Sequence, residues 1–308
     1  MIDITLLGTA ALVPLPQRSL TAALLSCGGR SILFDCGEGT QTAANRANVS
    51  LMKVDMIALT HYHGDHIFGM PGLLQTMCSM GRTETLYITG PEGLKEAMEP
   101  ILKLVGWTSY TITLLELAPE GLQLSELGTG WSRESKLTAF QTEHRISSQG
   151  YCFTLSRAGK FIPQKARELG IPENQWGLLQ KGTSIQVGNT IIQPEQVLGE
   201  PRQGLKFVFT GDTAVCDTLI KAAAEADLLI CEATYSENEQ ANLAIEHGHM
   251  NFAQAASVAA RANVKQLWLV HYSQMIDDPQ VHLHNATDIF EHTVCGLDGM
   301  KTTLRYQK

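Results

Sequence analysis

The chain has no apolar run near the roughly 20 residues that cross a bilayer, no C-x-x-C pair, few aromatic residues and no surplus of positive charge. Each shortage excludes something. No membrane-spanning helix is expected. The N-terminus, Met1-Ile2-Asp3-Ile4-Thr5-Leu6-Leu7-Gly8, lacks the basic stretch of a signal peptide and reads as a first strand, so a cytoplasmic location is expected. The seven cysteines (Cys27, Cys36, Cys78, Cys152, Cys216, Cys231 and Cys295) are odd in number and scattered, which points to reduced core thiols rather than a disulfide framework or a cysteine zinc site. With aromatics at 6%, Trp107, Trp131, Trp176 and Trp268 are too dispersed for a base-stacking platform of the single-strand binders. A net charge of −8 is not that of a protein that coats nucleic acid by bulk attraction. Basic residues are concentrated locally instead: Ser156–Lys206 holds seven Lys/Arg against four Asp/Glu, a net of +3, so the remainder carries −11.

What is present suits a soluble enzyme. A chain of 308 residues buries about three-quarters of its unfolded surface and needs no covalent staples. The first 60 residues read as strands (Ile2–Leu7, Ala22–Cys27, Ser31–Asp35, Met56–Thr60), with Gly28-Gly29 as a hairpin turn. A helix start follows at Met70-Pro71, a strand at Leu86–Thr89 and a second helix from Pro91. Strand signals recur at Thr111–Leu117, Leu137–Gln141 and Tyr151–Leu155. From Phe207 strands and helices alternate: Phe207–Thr210, Asp217–Ala226, Leu228–Cys231, Asn251–Ala262 and Gln266–Val270. That order predicts an α/β protein with two sheets sandwiched between helices. The least regular stretch, Ser156–Gly204, reads as an insertion or arm within a single domain spanning residues 1–308.

The chemistry is concentrated in His61-Tyr62-His63-Gly64-Asp65-His66, placed directly after a predicted strand. Residues i and i+2 of an extended backbone point to one side, so His61 and His63 can converge on one ion. Gly64 is expected to turn the chain so that Asp65 and His66 face a second. Imidazole and carboxylate donors suit Zn²⁺ in an open catalytic site. Further ligands must come from other strand ends, where Glu143-His144, Asp212 and His271 stand. Alone, His144 or His271 reads as a packed or surface histidine and Asp212 as a helix N-cap; beside the first cluster they are candidate ligands. Glu38 could line the site or cap a turn. His247 reads as structural, and His282, His284 and His292 as surface residues.

Two segments carry a resemblance: Asp35-Cys36-Gly37-Glu38-Gly39-Thr40-Gln41, and Thr60 through Leu74. The H-x-H-x-D-H run is that of the metallo-β-lactamase superfamily. Together with Gly211-Asp212-Thr213, Glu232-Ala233-Thr234, His247-Gly248-His249 and His271-Tyr272-Ser273, these segments resemble ribonuclease Z over nearly the whole chain. The resemblance implies a metallo-β-lactamase αββα sandwich with an inserted arm, and an endonuclease that trims the 3′ end of precursor transfer RNA. By the same token His61, His63 and His144 would hold one Zn²⁺, Asp65, His66 and His271 the other, and Asp212 would bridge them. Asp65 would accept the proton of the attacking water, His249 would assist the leaving group, and Glu232 would orient His249. Residues 156–204 would be the arm that grips the transfer-RNA elbow, and the chain would act as a homodimer.

Four departures from that family's pattern stand out: Cys231 where a histidine is usual, Met250-Asn251 for Ser-Thr, Gln274-Met275-Ile276 in place of an Arg-Tyr pair, and no Gly-Pro turn in Pro172–Gly177. None removes a predicted ligand. All lie near substrate handling, which keeps a second reading open, a phosphodiesterase or sulfatase of the same superfamily acting on a small ester. An iron redox protein on the same scaffold would be expected to replace parts of the H-x-H-x-D-H set, and nothing here does.

Overall fold

The computed structural model describes residues Met1 to Gln307. Six strands lead from the N-terminus: β1 (Ile2–Gly8), β2 (Ala22–Cys27), β3 (Arg30–Phe34), β4 (Val54–Ala58), β5 (Leu86–Thr89) and β6 (Ile112–Leu114). Next come β7 (Leu122–Gln123), β8 (Ser135–Gln141), β9 (Gln149–Arg157), the short pair β10 (Ile185–Val187) and β11 (Thr190–Ile192), and β12 (Arg202–Phe209). The last are β13 (Leu228–Glu232), β14 (Leu267–Val270), β15 (Thr293–Cys295) and β16 (Lys301–Leu304). They form two seven-stranded sheets, ordered β16-β1-β2-β3-β4-β5-β6 and β15-β14-β13-β12-β9-β8-β7. Both are mixed. In the first, β16, β1, β2 and β3 pair antiparallel and β3 to β6 parallel. In the second, β12 to β15 pair parallel and β7 pairs antiparallel with β8.

The sheets meet through aromatic side chains, with the Phe34 ring 5.8 Å from Tyr151 and 5.5 Å from both Phe207 and Phe209. Parallel strands buried on both faces are largely apolar, and β4, β13 and β14 are buried at every residue, with Asp55 and Glu232 as their charged positions. Helices α1 (Thr40–Arg46), α2 (Gly64–Ile67), α3 (Met70–Ser79) and α4 (Leu94–Val105) belong to the first half. Ala43, Leu73, Met77 and Met98 of these helices share a core with Leu24, Leu33 and Ile57 of the first sheet. Two short helices, α5 (Pro163–Glu168) and α6 (Trp176–Gln180), precede α7 (Asp217–Ala223), α8 (Ala241–His247), α9 (Phe252–Arg261) and α10 (His284–Thr287). Leu219, Phe252, Ala256 and Ala259 pack against Leu229, Cys231 and Leu269 of the second sheet. The result is the helix–sheet–sheet–helix sandwich expected from the sequence.

Two compact units divide the chain. One is Met1–Thr154 with Leu205–Arg305; the other is Leu155–Gly204 with Tyr306. The second unit is less irregular than its composition suggested. It holds α5, α6 and the β10–β11 hairpin around its own core of Ala166, Ile171, Leu179, Ile185, Ile192 and Val197. Trp176 lies 5.3 Å from Phe161 and under the Arg167 guanidinium, so it serves this small core. Elsewhere the element ends move: the helix expected from Pro91 begins at Leu94, and α7 ends at Ala223. All seven cysteines are free thiols, and six are buried. No helix among the described residues is long and apolar enough to cross a membrane.

Candidate active site

The run after β4 reaches the site because the strand is wholly buried and its C-terminal end opens into a loop. The short α2 then carries Asp65 and His66 inward, both buried. Gly64 does not act as the expected reversing turn: it starts α2, and the space a Cβ would take is filled by the Phe68 ring. Four further strand ends complete the site. His144 follows β8, Asp212 follows β12, Glu232 ends β13 and His271 follows β14. Three of the six non-glycine residues with positive φ sit here, namely Leu12, Asp35 and His271. Such a backbone costs about 1–3 kcal/mol per residue and persists where the surroundings hold it.

The donor atoms separate into two sets. His61 Nε2 lies 2.9 Å from His63 Nδ1 and 3.6 Å from Asp212 Oδ2. His144 Nε2 lies 3.3 Å from His63 Nδ1 and 3.9 Å from the same Asp212 oxygen. In the second set His66 Nε2 is 3.3 Å from His271 Nε2, and these two are 3.3 and 3.2 Å from Asp212 Oδ1. Asp65 Oδ2 joins them at 3.7 and 3.4 Å. Four donors held tetrahedrally at 2.0–2.2 Å from one ion stand roughly 3.3–3.6 Å apart, so both sets have the spacing of a coordination shell.

The far side of four of the rings shows which nitrogen is bare. His66 Nδ1 bonds Asp35 Oδ2 at 2.8 Å, His144 Nδ1 bonds the Gly248 carbonyl at 2.8 Å, and His271 Nδ1 meets Thr234 Oγ1 at 2.9 Å. His61 Nδ1 meets Thr60 Oγ1 at 3.1 Å. An outer partner on Nδ1 fixes the tautomer and leaves Nε2 with its lone pair inward. Asp212 Oδ1 is buried with no hydrogen-bond donor. Lone pairs converging on one buried carboxylate oxygen repel unless positive charge sits among them, so the residues present fit metal ions. Without a cation the carboxylates draw a proton onto the site in its place. Burial opposes charge on His66, yet Asp212 and Asp35 hold it well above the ordinary imidazole range. Burial and the charge of His66 push His61 well below that range.

His249 stands beside the two sets, its ring stacked 5.6 Å from His271 and its Nδ1 2.9 Å from Glu232 Oε1. Burial disfavours its charge, but Glu232 and Asp212 outweigh this and raise its pKa to about 9. Glu232 also accepts from the Thr213 and Thr234 amides and the Thr234 hydroxyl. The predicted residues are thus all brought together: His61, His63, His144 and Asp212 form one potential ligand group, Asp65, His66 and His271 a second, and His249 groups with Asp212 and His271.

Two alternatives that the sequence left open can now be placed. Glu38 is exposed, and the carboxylate that reaches the site from its segment is Asp35, which also accepts from Thr60 N and Oγ1 at 2.7 and 2.9 Å. Asp212 caps no helix, since α7 starts at Asp217 behind Cys216. Asp35 was visible in the sequence as the end of a strand and the first residue of the Asp35–Gln41 segment, but its bond to His66 was not. His247 donates to or accepts from Tyr235 Oη at 2.6 Å, His282 pairs with Glu237 at 2.6 Å, and His284 and His292 are exposed.

Over its full length the chain is 39% identical to a ribonuclease Z of Clostridium tetani and 38% to one of Clostridioides difficile, covering all of both chains. The chain belongs to the ribonuclease Z family. Human tRNase Z, short form, superposes with a TM-score of 0.68 at 26% identity, covering 99% of this chain and all of that one. A family model described as "Anti-Pycsar protein Apyc1" matches residues 2–162, and one described as "Beta-lactamase superfamily domain" matches residues 194–272. Ribonuclease Z membership gives the sequence departures a structural setting. Cys231 is fully buried in the core of the second sheet. Asn251 caps α9, its side chain accepting from Gln254 N. Ile276 is buried and its carbonyl accepts from the buried Arg18 guanidinium, which also lies over the Tyr272 ring, so the segment after His271 is held by a residue from another loop.

Proposed function

We propose that this chain is a metal-dependent endoribonuclease that removes the 3′ trailer of precursor transfer RNA, with two Zn²⁺ ions held by His61, His63 and His144, by Asp65, His66 and His271, and by Asp212 between them. The observation that carries the reading is the division of the two Asp212 oxygens between two sets of inward-facing donors, in a chain of the ribonuclease Z family. When bound, two divalent cations supply a water of lowered pKa and neutralise the phosphate. Asp65 accepts the proton of the attacking water; its Oδ2 is held by the Leu12 amide at 2.8 Å. His249 is the proton donor. Its Nδ1 is committed to Glu232, which leaves Nε2 to hand a proton to the departing ribose oxygen. Residues 156–204, with their net charge from Ser156 to Lys206 of +3, serve as the arm that holds the RNA away from the scissile bond, and a homodimer is the expected assembly.

The test is incubation of the zinc-loaded protein with a precursor transfer RNA and with bis(p-nitrophenyl) phosphate. Release of a trailer of defined length supports the reading. Hydrolysis of the ester alone supports the small-ester alternative.

A further inference from the structure

Phe68 sits two residues beyond His66, yet 68% of it is exposed. Its exposure is not looseness. A helical side chain leans back over the preceding turn, and here the ring lies on Gly64: a methyl group there would fall 2.3 Å from Phe68 Cε2, 2.7 Å from Cζ and 2.8 Å from Cδ2. The amide of Phe68 donates to the Gly64 carbonyl at 2.9 Å, so backbone and ring are fixed on the same peptide. The ring thus rests on the residue between His63 and Asp65 while most of it stays open to solvent. A second exposed apolar side chain, Leu12 at 71%, is tied to the same place through its amide on Asp65. Leu12 adopts φ 58°, a strained conformation that its bond to Asp65 helps hold.

A large apolar surface packed on the segment that carries the candidate ligands faces whatever flanks the phosphate. Cations or amides there would read the backbone; an open aromatic face matches the π-face that every nucleobase has. We infer that Phe68 is a stacking platform for an unpaired nucleobase next to the scissile phosphate. This rests on the RNA reading above. It is a binding role, since the ring has no group that could take part in proton transfer and stacks on any base alike.

The experiment places 2-aminopurine on either side of the cleavage position of a precursor transfer RNA, one side at a time, and follows its fluorescence by stopped flow before turnover. For one of the two labels the wild-type protein should quench the emission, Phe68→Leu should lose the quench, and Phe68→Trp should restore it. Loss of stacking should raise KM for the RNA roughly 5- to 150-fold and leave bound metal and Tm unchanged, because leucine keeps the apolar cover over Gly64. If the wild-type protein cleaves the RNA and Phe68→Leu quenches as strongly as the wild type, the platform is overturned while the endonuclease reading stands. If the wild-type protein neither binds nor cleaves the RNA, both fall together.

Discussion

Four donors converge on the Glu232 carboxylate, three of them from threonines and one from His249. These bonds fix the carboxylate against His249, which gives the histidine a signature in pH. The carboxylates raise His249 to about 9, and bound cations pull the other way, so the alkaline limb for a poor leaving group should lie between the ordinary imidazole range and about 9. The sign is that of an acid: activity is present below the limb and falls as pH rises through it. Glu232→Gln should move the limb to lower pH. His249→Ala should keep both metals and slow RNA cleavage by about 10²–10⁴-fold, with much less effect on a nitrophenyl ester whose leaving group needs no proton. Equal losses on both substrates would remove His249 as the acid. Asp35 makes a prediction of its own. Because it orients His66 from behind, Asp35→Asn should weaken binding of the ion at the Asp65–His66–His271 set by about 10- to 100-fold, read by competition with a chelator.

At the level of elements, what the sequence made legible was periodicity. Strands β2 and β5 fall where their apolar runs place them, and α3 begins at Met70 with its proline in the first turn. Short elements escaped, for physical reasons. Strand β16 is four residues of which only Leu304 is buried, and it is a strand because β1 pairs with it. Helix α1 opens behind Gly39 in a left-handed conformation with no side-chain cap, so no capping signal announces it. Helix α9 is the contrary case. Asn251 and Gln254 form reciprocal bonds at its start, at 2.8 and 2.9 Å. Asn251→Ala should therefore cost about 1 kcal/mol and lower Tm by about 2–4 °C. A calorimetric scan showing no change would mean the helix end finds other partners.

For the whole molecule, the donor geometry predicts close to two transition-metal ions per chain by elemental analysis. Asp212→Ala should lose metal and activity together, and a fully active preparation with one ion would sink the bridging role. The second compact unit, with its separate core, can be tested by deletion. Replacing Ser156–Gly204 with a short Gly/Ser linker should weaken precursor transfer-RNA cleavage through binding and leave bis(p-nitrophenyl) phosphate hydrolysis nearly unchanged. Changing Lys160, Lys165, Arg167 and Lys181 to Gln should flatten the salt dependence of RNA binding by up to about 0.7–0.9 slope units for each phosphate that is no longer neutralised. A quadruple variant with the wild-type slope would show that these side chains do not touch the RNA backbone.

The sequence by itself determined the chemistry of the site and the layered fold, because both are written at short range. His61, His63, Asp65 and His66 are neighbours in one loop after one strand, and apolar runs of strand length leave few ways to bury themselves. The tertiary structure decided what depends on residues meeting across the chain. It set which nitrogen of each histidine faces inward, because that is fixed by partners as distant as Gly248 for His144 and Thr234 for His271. It divided the Asp212 oxygens between two donor sets. It also chose Asp35 over Glu38, three residues away in the same turn, since only a backbone at φ 55° directs that carboxylate to His66. No local pattern carries such information, because each of these bonds joins residues that are far apart along the chain and meet only in the folded structure.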